Sequence, residues 1–218
     1  MENLQEFWHF ITHLNETLPA FIDQYGLWIY ALLFAIIFIE TGLVVMPFLP
    51  GDSLLFVAGS LAAGGMLHYG ALFGLLFLAA VLGDNVNYWV GRYFGAHVVK
   101  WHIAGKPLVR PKHLERTHGY FERFGVKTII IARFVPIVRT ITPFVAGIGR
   151  MSYRNKFLPF DVFGGALWIG LLLSAGYLFG RHPFVQKHYE TVILAIVALS
   201  VLPMVVELAR QRLKRPAA

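Results

Sequence analysis

The chain has 218 residues, of which 57% are hydrophobic and 14% charged, with a mean hydropathy of +0.61. Such usage excludes an ordinary soluble domain and puts most of the chain in lipid. The net charge of +7 does not describe a nucleic-acid-binding face, because no Lys or Arg precedes Arg92 and the charge belongs to particular loops. Cysteine is absent, which excludes disulfides, thiolate metal sites and a thiol nucleophile.

Residues 1–26 lack a basic stretch and carry Glu2, Glu6, Glu16 and Asp23, so they are not read as a cleaved signal peptide. Leu4, Phe7, Trp8, Ile11, Leu14 and Leu18 recur at helical spacing opposite acidic and amide residues. That predicts an N-terminal amphipathic segment over 1–26, lying in the membrane interface or packed on the protein's own helices. A single membrane domain is expected over 27–210. It opens with a hairpin over 27–66, in which the apolar run Leu27–Met46, interrupted by Glu40, meets Pro47-Phe48-Leu49-Pro50-Gly51-Asp52 and returns as Leu54–Ala63. The returning arm is shorter than the roughly 20 residues that cross a bilayer, so the segment reads as re-entrant, although its first arm could cross alone.

A transmembrane helix is expected over 69–90. The loop over 91–127 holds eight Lys or Arg residues and is therefore expected on the cytoplasmic side. The apolar segment 128–149 contains Arg133, Pro136, Arg139 and Pro143 and has basic residues at both ends. A break at membrane depth is tolerated only against protein or a wet cavity, so this segment reads as a second re-entrant hairpin. Transmembrane helices are expected over 157–180 and 191–208, followed by a basic cytoplasmic tail at 211–218. Phe56-Val57-Ala58-Gly59 in the first hairpin returns as Phe144-Val145-Ala146-Gly147 in the second, and each hairpin precedes a crossing helix that ends in Phe-Gly. The expected fold is all-α and polytopic: two opposed re-entrant hairpins and about three full spans on an inverted-repeat plan.

Within this frame four charges fall at membrane depth: Glu40, Asp52, Arg133 and Arg139. Each costs about 2.5–3.5 kcal/mol if left unpaired there, so they are expected to form ion pairs or face water. Two arginines around Pro136 offer planar donor forks that match phosphate oxygens, which makes Arg133 and Arg139 candidate ligands of a lipid phosphate. Glu40 and Asp52 are candidate proton-coupling groups, because desolvation and neighbouring arginines act on a carboxyl in opposite senses. Asp52 is also placed to cap the returning arm. Pro47, Pro50, Gly51, Pro136, Pro143 and Gly147 are assigned to shaping the hairpin tips, the prolines by unwinding them. Asp84, Asn85, Asn87 and Asp161 read as interface residues, and the nine His residues form no metal-ligand pattern. No cofactor, metal or catalytic residue is expected.

Phe38-Ile39-Glu40-Thr41-Gly42, Pro47-Phe48-Leu49-Pro50-Gly51-Asp52-Ser53 and Ala132-Arg133-Phe134-Val135-Pro136-Ile137-Val138-Arg139 together resemble the bacterial DedA family of membrane proteins. The likeness continues through Phe144–Gly147, Met151-Ser152-Tyr153, Gly165-Ala166 with Trp168, and Gly176-Tyr177. The family's acidic and arginine positions fall on Glu40, Asp52, Arg133 and Arg139. Where many members have Asn after the second hairpin, this chain has Asp161. The resemblance implies a multi-pass inner-membrane lipid transporter, linked to undecaprenyl phosphate or phospholipids, to the proton motive force and to envelope homeostasis. The expected function is proton-linked recycling of undecaprenyl phosphate, with a phospholipid flippase or scramblase, or a non-transporting envelope scaffold, as alternatives. A lipid phosphatase is disfavoured because no nucleophilic His stands in a phosphate-binding signature. The expected partners are a membrane lipid and protons, no nucleic acid is expected, and a homo-oligomer is compatible with the sequence.

Overall fold

The run Leu14–Gly42 forms one long helix, α1, with a single non-helical residue, Tyr25 (φ −118°, ψ 17°), beside Gly26. The expected boundary between amphipathic and membrane segments at 26/27 is therefore a kink, with no loop between them. The computed structural model describes residues 14–43, 51–98, 102, 103, 106, 107, 111–183 and 185. The expectations for residues 1–13, Pro47, Pro50, the span 191–208 and the tail 211–218 lie outside them.

Helix α2 (Gly51–Ala63) follows, then α3 (Tyr69–Val98), which continues past the expected end at 90. A two-residue antiparallel pairing joins His102–Ile103 to Lys106–Pro107. Helix α4 (Pro111–Phe124) occupies much of the expected basic loop, with His118 and Glu122 one turn apart on its exposed face. A 3₁₀ turn at Gly125–Lys127 leads into α5 (Thr128–Ala132) and then α6 (Pro136–Ile148). A π turn at Tyr153–Phe157 opens α7 (Leu158–Gly180).

Among the described residues three helical segments are long and apolar enough to cross a membrane: Tyr25–Gly42, Tyr69–Gly95 and Tyr153–Gly180. The first covers most of the arm 27–46, whose crossing the sequence left open; its 18 residues suffice by length and composition. Helices α2 and α6, with 13 residues each, are too short to cross. Leu27 and Trp28 on α1 are 87% and 73% exposed, and Leu78 and Val86 on α3 and Phe163 and Leu171 on α7 also point outward. Large apolar side chains on the outside of long apolar helices are what a lipid solvent selects.

The described residues fall into two compact units, one drawn from Met1–Ala31, Pro50–Leu72 and Leu172–Ala218, the other from Leu32–Leu49 and Phe73–Leu171. In the first, α2 lies against the C-terminal turns of α7 at backbone contact. A Cβ on Gly59 would overlap the Leu173 carbonyl oxygen, one on Gly176 the Phe56 carbonyl oxygen, and one on Gly180 would meet Ser60. Tyr69 and Ser174 share a hydrogen bond of 2.7 Å, and the Tyr69 ring meets Tyr177 edge-on at 5.2 Å.

In the second unit α6 lies against α3 in the same manner. A Cβ on Gly147 would overlap the Tyr88 carbonyl oxygen, one on Gly91 the Phe144 carbonyl oxygen, and one on Gly95 the Ile148 side chain. Small residues four apart let helix backbones meet, so that dispersion contacts act without an intervening side chain. Tyr88 stacks on Phe157 at 4.4 Å between ring centroids and donates to the Met151 carbonyl, closing a core with Ile129 and Ala146. Gly147 therefore belongs to a helix contact and not to a hairpin tip. Pro143 is likewise a buried residue inside α6, where it unwinds nothing.

Candidate functional site

All the buried charges among the described residues belong to the second unit: Glu40, Asp84, Arg133, Arg139 and Asp161. Local chemistry explains how each is presented. The tight turn after α5, with Arg133, Phe134 and Val135 donating to the carbonyls of Ile130, Ile131 and Ala132, stops the helix at Arg133. Val135 is extended (φ −120°, ψ 102°), as a residue before proline prefers, and Pro136 restarts the helix at its first turn, where its missing N–H costs nothing. Arg139 then sits one turn into α6, its N–H on the Val135 carbonyl at 2.9 Å. Pro136 thus separates the two arginines by a helix break.

Arg139 pairs with Glu40 through Nη2 and Oε1. Its guanidinium also lies over the Trp168 ring, 4.5 Å from the centroid, an attraction strengthened by the burial of both side chains. Glu40 reaches this position because α1 and α3 touch at glycine: Gly42 and Gly83 approach so closely that a Cβ on Gly83 would overlap the Thr41 hydroxyl. Asn87, fully buried, donates to the Thr41 carbonyl at 3.1 Å and to the Thr140 carbonyl at 2.7 Å, tying α1 to α6 across α3.

Arg133 takes two carboxylates, neither of them the Asp52 of the expected charge set. Its Nη2 donates to Asp84 Oδ2 at 2.5 Å, to Asp161 Oδ1 at 2.6 Å and to the Asp161 carbonyl at 3.2 Å. Space for the side chain comes from Gly164 and Gly165 on α7, where a Cβ would come within 3.1 Å of Arg133 Cδ and 3.5 Å of Nη2. Three acceptors converge on one nitrogen, while Arg133 Nη1, Asp84 Oδ1 and Asp161 Oδ2 are buried without hydrogen-bond partners among the described residues. Buried polar atoms rarely stay unpaired, and a cluster of them marks a place for a ligand, a proton or a water.

Asp84 and Asp161, read as interface residues, are therefore the partners of Arg133, 2% and 1% exposed. The glycines beside them, Gly83 before Asp84 and Gly164-Gly165 after Asp161, are the sequence signal that could have found them, since small residues flanking an acid let another chain segment reach it. Asp52 stands in the first turn of α2, in the first unit, half-buried, and follows Gly51, the helix's first residue. A carboxylate in the first turn interacts favourably with the positive end of the helix dipole. Among the described residues no group of three or more His, Asp or Glu side chains is placed to hold a metal ion.

On the outer face of α1 and α3, Phe38, Leu82, Val86, Trp89 and Phe94 line an open apolar groove of about 420 Å³ with Asn85 in it. The Asn85 side chain donates to the Val81 carbonyl and accepts the Tyr153 hydroxyl.

The VTT domain model matches residues 49–178. Protein DedA of Escherichia coli K12 is 48% identical over 205 residues, 93% of this chain and 92% of that protein. An uncharacterized membrane protein of Mycobacterium tuberculosis H37Rv is 43% identical over 177 residues, 80% of this chain and 76% of its own. Inner membrane protein YghB of Salmonella typhimurium LT2 is 37% identical over 174 residues, 79% and 78% of the two chains. No solved structure matches the chain.

Proposed function

The chain belongs to the DedA family of VTT-domain inner-membrane proteins, and from that premise we propose that it moves a phosphate-headed lipid across the bacterial inner membrane, linked to the proton motive force. Undecaprenyl phosphate is the substrate this reading favours. The observation that carries it is Arg133: a buried guanidinium whose Nη1 edge has no partner, one helix turn and a proline from a second buried guanidinium. A phosphate presents acceptor oxygens to both forks, and the carboxylates now on them are what it must displace. Glu40 and Arg139 form a neutral pair that an incoming anion would unbalance, and protonating Glu40 restores the balance. Asp52 is proposed as a second coupling carboxylate, at the start of α2. The apolar groove beside Asn85 offers room for part of a prenyl or acyl chain.

The same reading treats α2 and α6 as the short arms of two opposed re-entrant hairpins. Support comes from the repeated Phe-Val-Ala-Gly segment, which makes the same backbone contact in both units. The loop 91–127, both ends of the second hairpin and the C-terminus would then share the cytoplasmic side. Single cysteines at positions 113, 152 and 217 can be labelled without background in a chain that has no Cys. Labelling of 113 and 152 from opposite sides would refute the re-entrant assignment.

The transport test uses purified protein in liposomes and fluorescent polyprenyl phosphate or phosphatidylethanolamine. Translocation of the prenyl phosphate alone, faster with an imposed pH gradient, is expected. Equal movement of phosphatidylethanolamine indicates a phospholipid flippase or scramblase instead, and movement of neither lipid refutes transport.

A further inference from the structure

Among the described residues, the buried charges of the second unit do not balance. Three carboxylates, Glu40, Asp84 and Asp161, face two guanidiniums, Arg133 and Arg139. Glu40 with Arg139 is neutral, so the excess negative charge lies in the Asp84–Arg133–Asp161 group. An uncompensated charge in a low-dielectric interior is costly enough that such a group takes up a proton or a counterion. The surroundings favour a proton. The two carboxyls accept from the same Arg133 nitrogen at 2.5 and 2.6 Å, which holds them side by side. Two carboxyl groups held together in this way repel unless one of them holds a proton, as in paired catalytic carboxylates. Each also keeps one buried oxygen without a partner, Asp84 Oδ1 and Asp161 Oδ2, and no third acidic or His ligand completes a metal site among the described residues.

We propose that Asp84 and Asp161 form a proton-binding site that shares one proton across Arg133, and that this site is a point at which a pH gradient acts on the protein. The second half rests on the proton-linked transport reading; the first does not. The charged groups facing the pair are Arg133 from the turn between α5 and α6, Arg139 from α6, and Glu40 from α1 through Arg139. With one proton bound, the Asp84–Arg133–Asp161 group is neutral and the Arg133 Nη1 edge stays open. An anion arriving at Nη1 restores the negative excess, which a second proton on the pair cancels. Anion binding and proton uptake are thereby linked through one guanidinium, in either order, by reciprocity.

The test is infrared spectroscopy of the full chain in nanodiscs at neutral pH, reading the carbonyl stretch of a protonated carboxyl and its shift in deuterated water. The unmodified protein shows one such band. Asp84→Asn loses it and so does Asp161→Asn, because each leaves Arg133 with one carboxylate and no excess charge. Asp52→Asn and Glu122→Gln, the latter on an exposed face of α4, retain it. Absence of the band from the unmodified protein, its survival in either Asn variant at 84 or 161, or its loss in Asp52→Asn overturns the shared proton. Both single variants keep a charge-balanced Arg133 and are expected to fold. In proteoliposomes each loses the response of transport to an imposed pH gradient, and a response equal to the unmodified protein's overturns the coupling role. Should the liposomes move no lipid at all, the transport reading falls while the infrared pattern still decides the proton site.

Discussion

The first unit joins α2 to α7 and the second joins α6 to α3, and the two contacts are alike in backbone and unlike in charge. In each, a Phe-Val-Ala-Gly segment lays its glycine against a carbonyl of a long helix, while a glycine of that helix, three residues on, meets the carbonyl of the segment's Phe. The long helix carries a second glycine four residues later in both, as Gly176-Tyr177-Leu178-Phe179-Gly180 and Gly91-Arg92-Tyr93-Phe94-Gly95. Yet the second unit buries five charged residues and the first, among the described residues, none. Packing has been kept in duplicate while the polar chemistry is concentrated in one copy. A glycine contact demands only the absence of side chains and is easily kept twice. Buried charges are stable only as a balanced set, so they gather where partners converge.

Removing one member of that set should separate the units most sharply. Arg139→Leu strands the Glu40 charge in a water-excluded site and is expected to cost about 3–5 kcal/mol. Combining it with Glu40→Gln should recover much of that loss, in a double-mutant cycle followed by unfolding in detergent. Asp52→Asn, at a half-buried position in the first unit, should cost less than about 1 kcal/mol by the same measurement. Equal losses in Arg139→Leu and Asp52→Asn would erase the contrast in charge.

The likeness in packing is tested next. Gly59→Leu and Gly147→Leu both drive a side chain into a backbone carbonyl, and each is expected to destabilise by about 3 kcal/mol, the upper range for overpacking. If thermal unfolding finds one harmful and the other neutral, the two contacts are not equivalent. Gly74, which has open space where its Cβ would stand, serves as the control. Gly74→Ala should be neutral or stabilise α3 by up to about 1 kcal/mol, the smallest effect in the set.

Between these extremes lies a substitution that conserves charge. Arg133→Lys and Arg139→Lys keep the ion-pair count but replace a planar fork with a point charge, and Lys at 133 cannot hold Asp84 and Asp161 while offering a second donor edge. About a tenfold loss of lipid translocation is expected from each, equivalent to about 1.4 kcal/mol, with protein abundance little changed. Full activity in the doubly substituted protein would remove the argument for a headgroup fork.

What the sequence by itself determined is the class and the inventory. Hydropathy marked the membrane segments, Pro136 marked the break between two arginines, and depth alone made Glu40, Arg133 and Arg139 candidates for pairing. Repetition of Phe-Val-Ala-Gly pointed to a duplicated design, and linked motifs pointed to the family. Only the tertiary structure decided which acid meets which arginine. Spacing along a helix sets the face a side chain occupies, but the partner across the gap depends on how helices are rotated and how closely they cross. Here Gly83, Gly164 and Gly165 set those approaches, bringing Asp84 and Asp161 onto Arg133 and Glu40 onto Arg139. An Asp near the end of an apolar run reads as a surface residue until a close crossing buries it, and glycine, having no side chain, gives no sign in hydropathy of the crossing it permits.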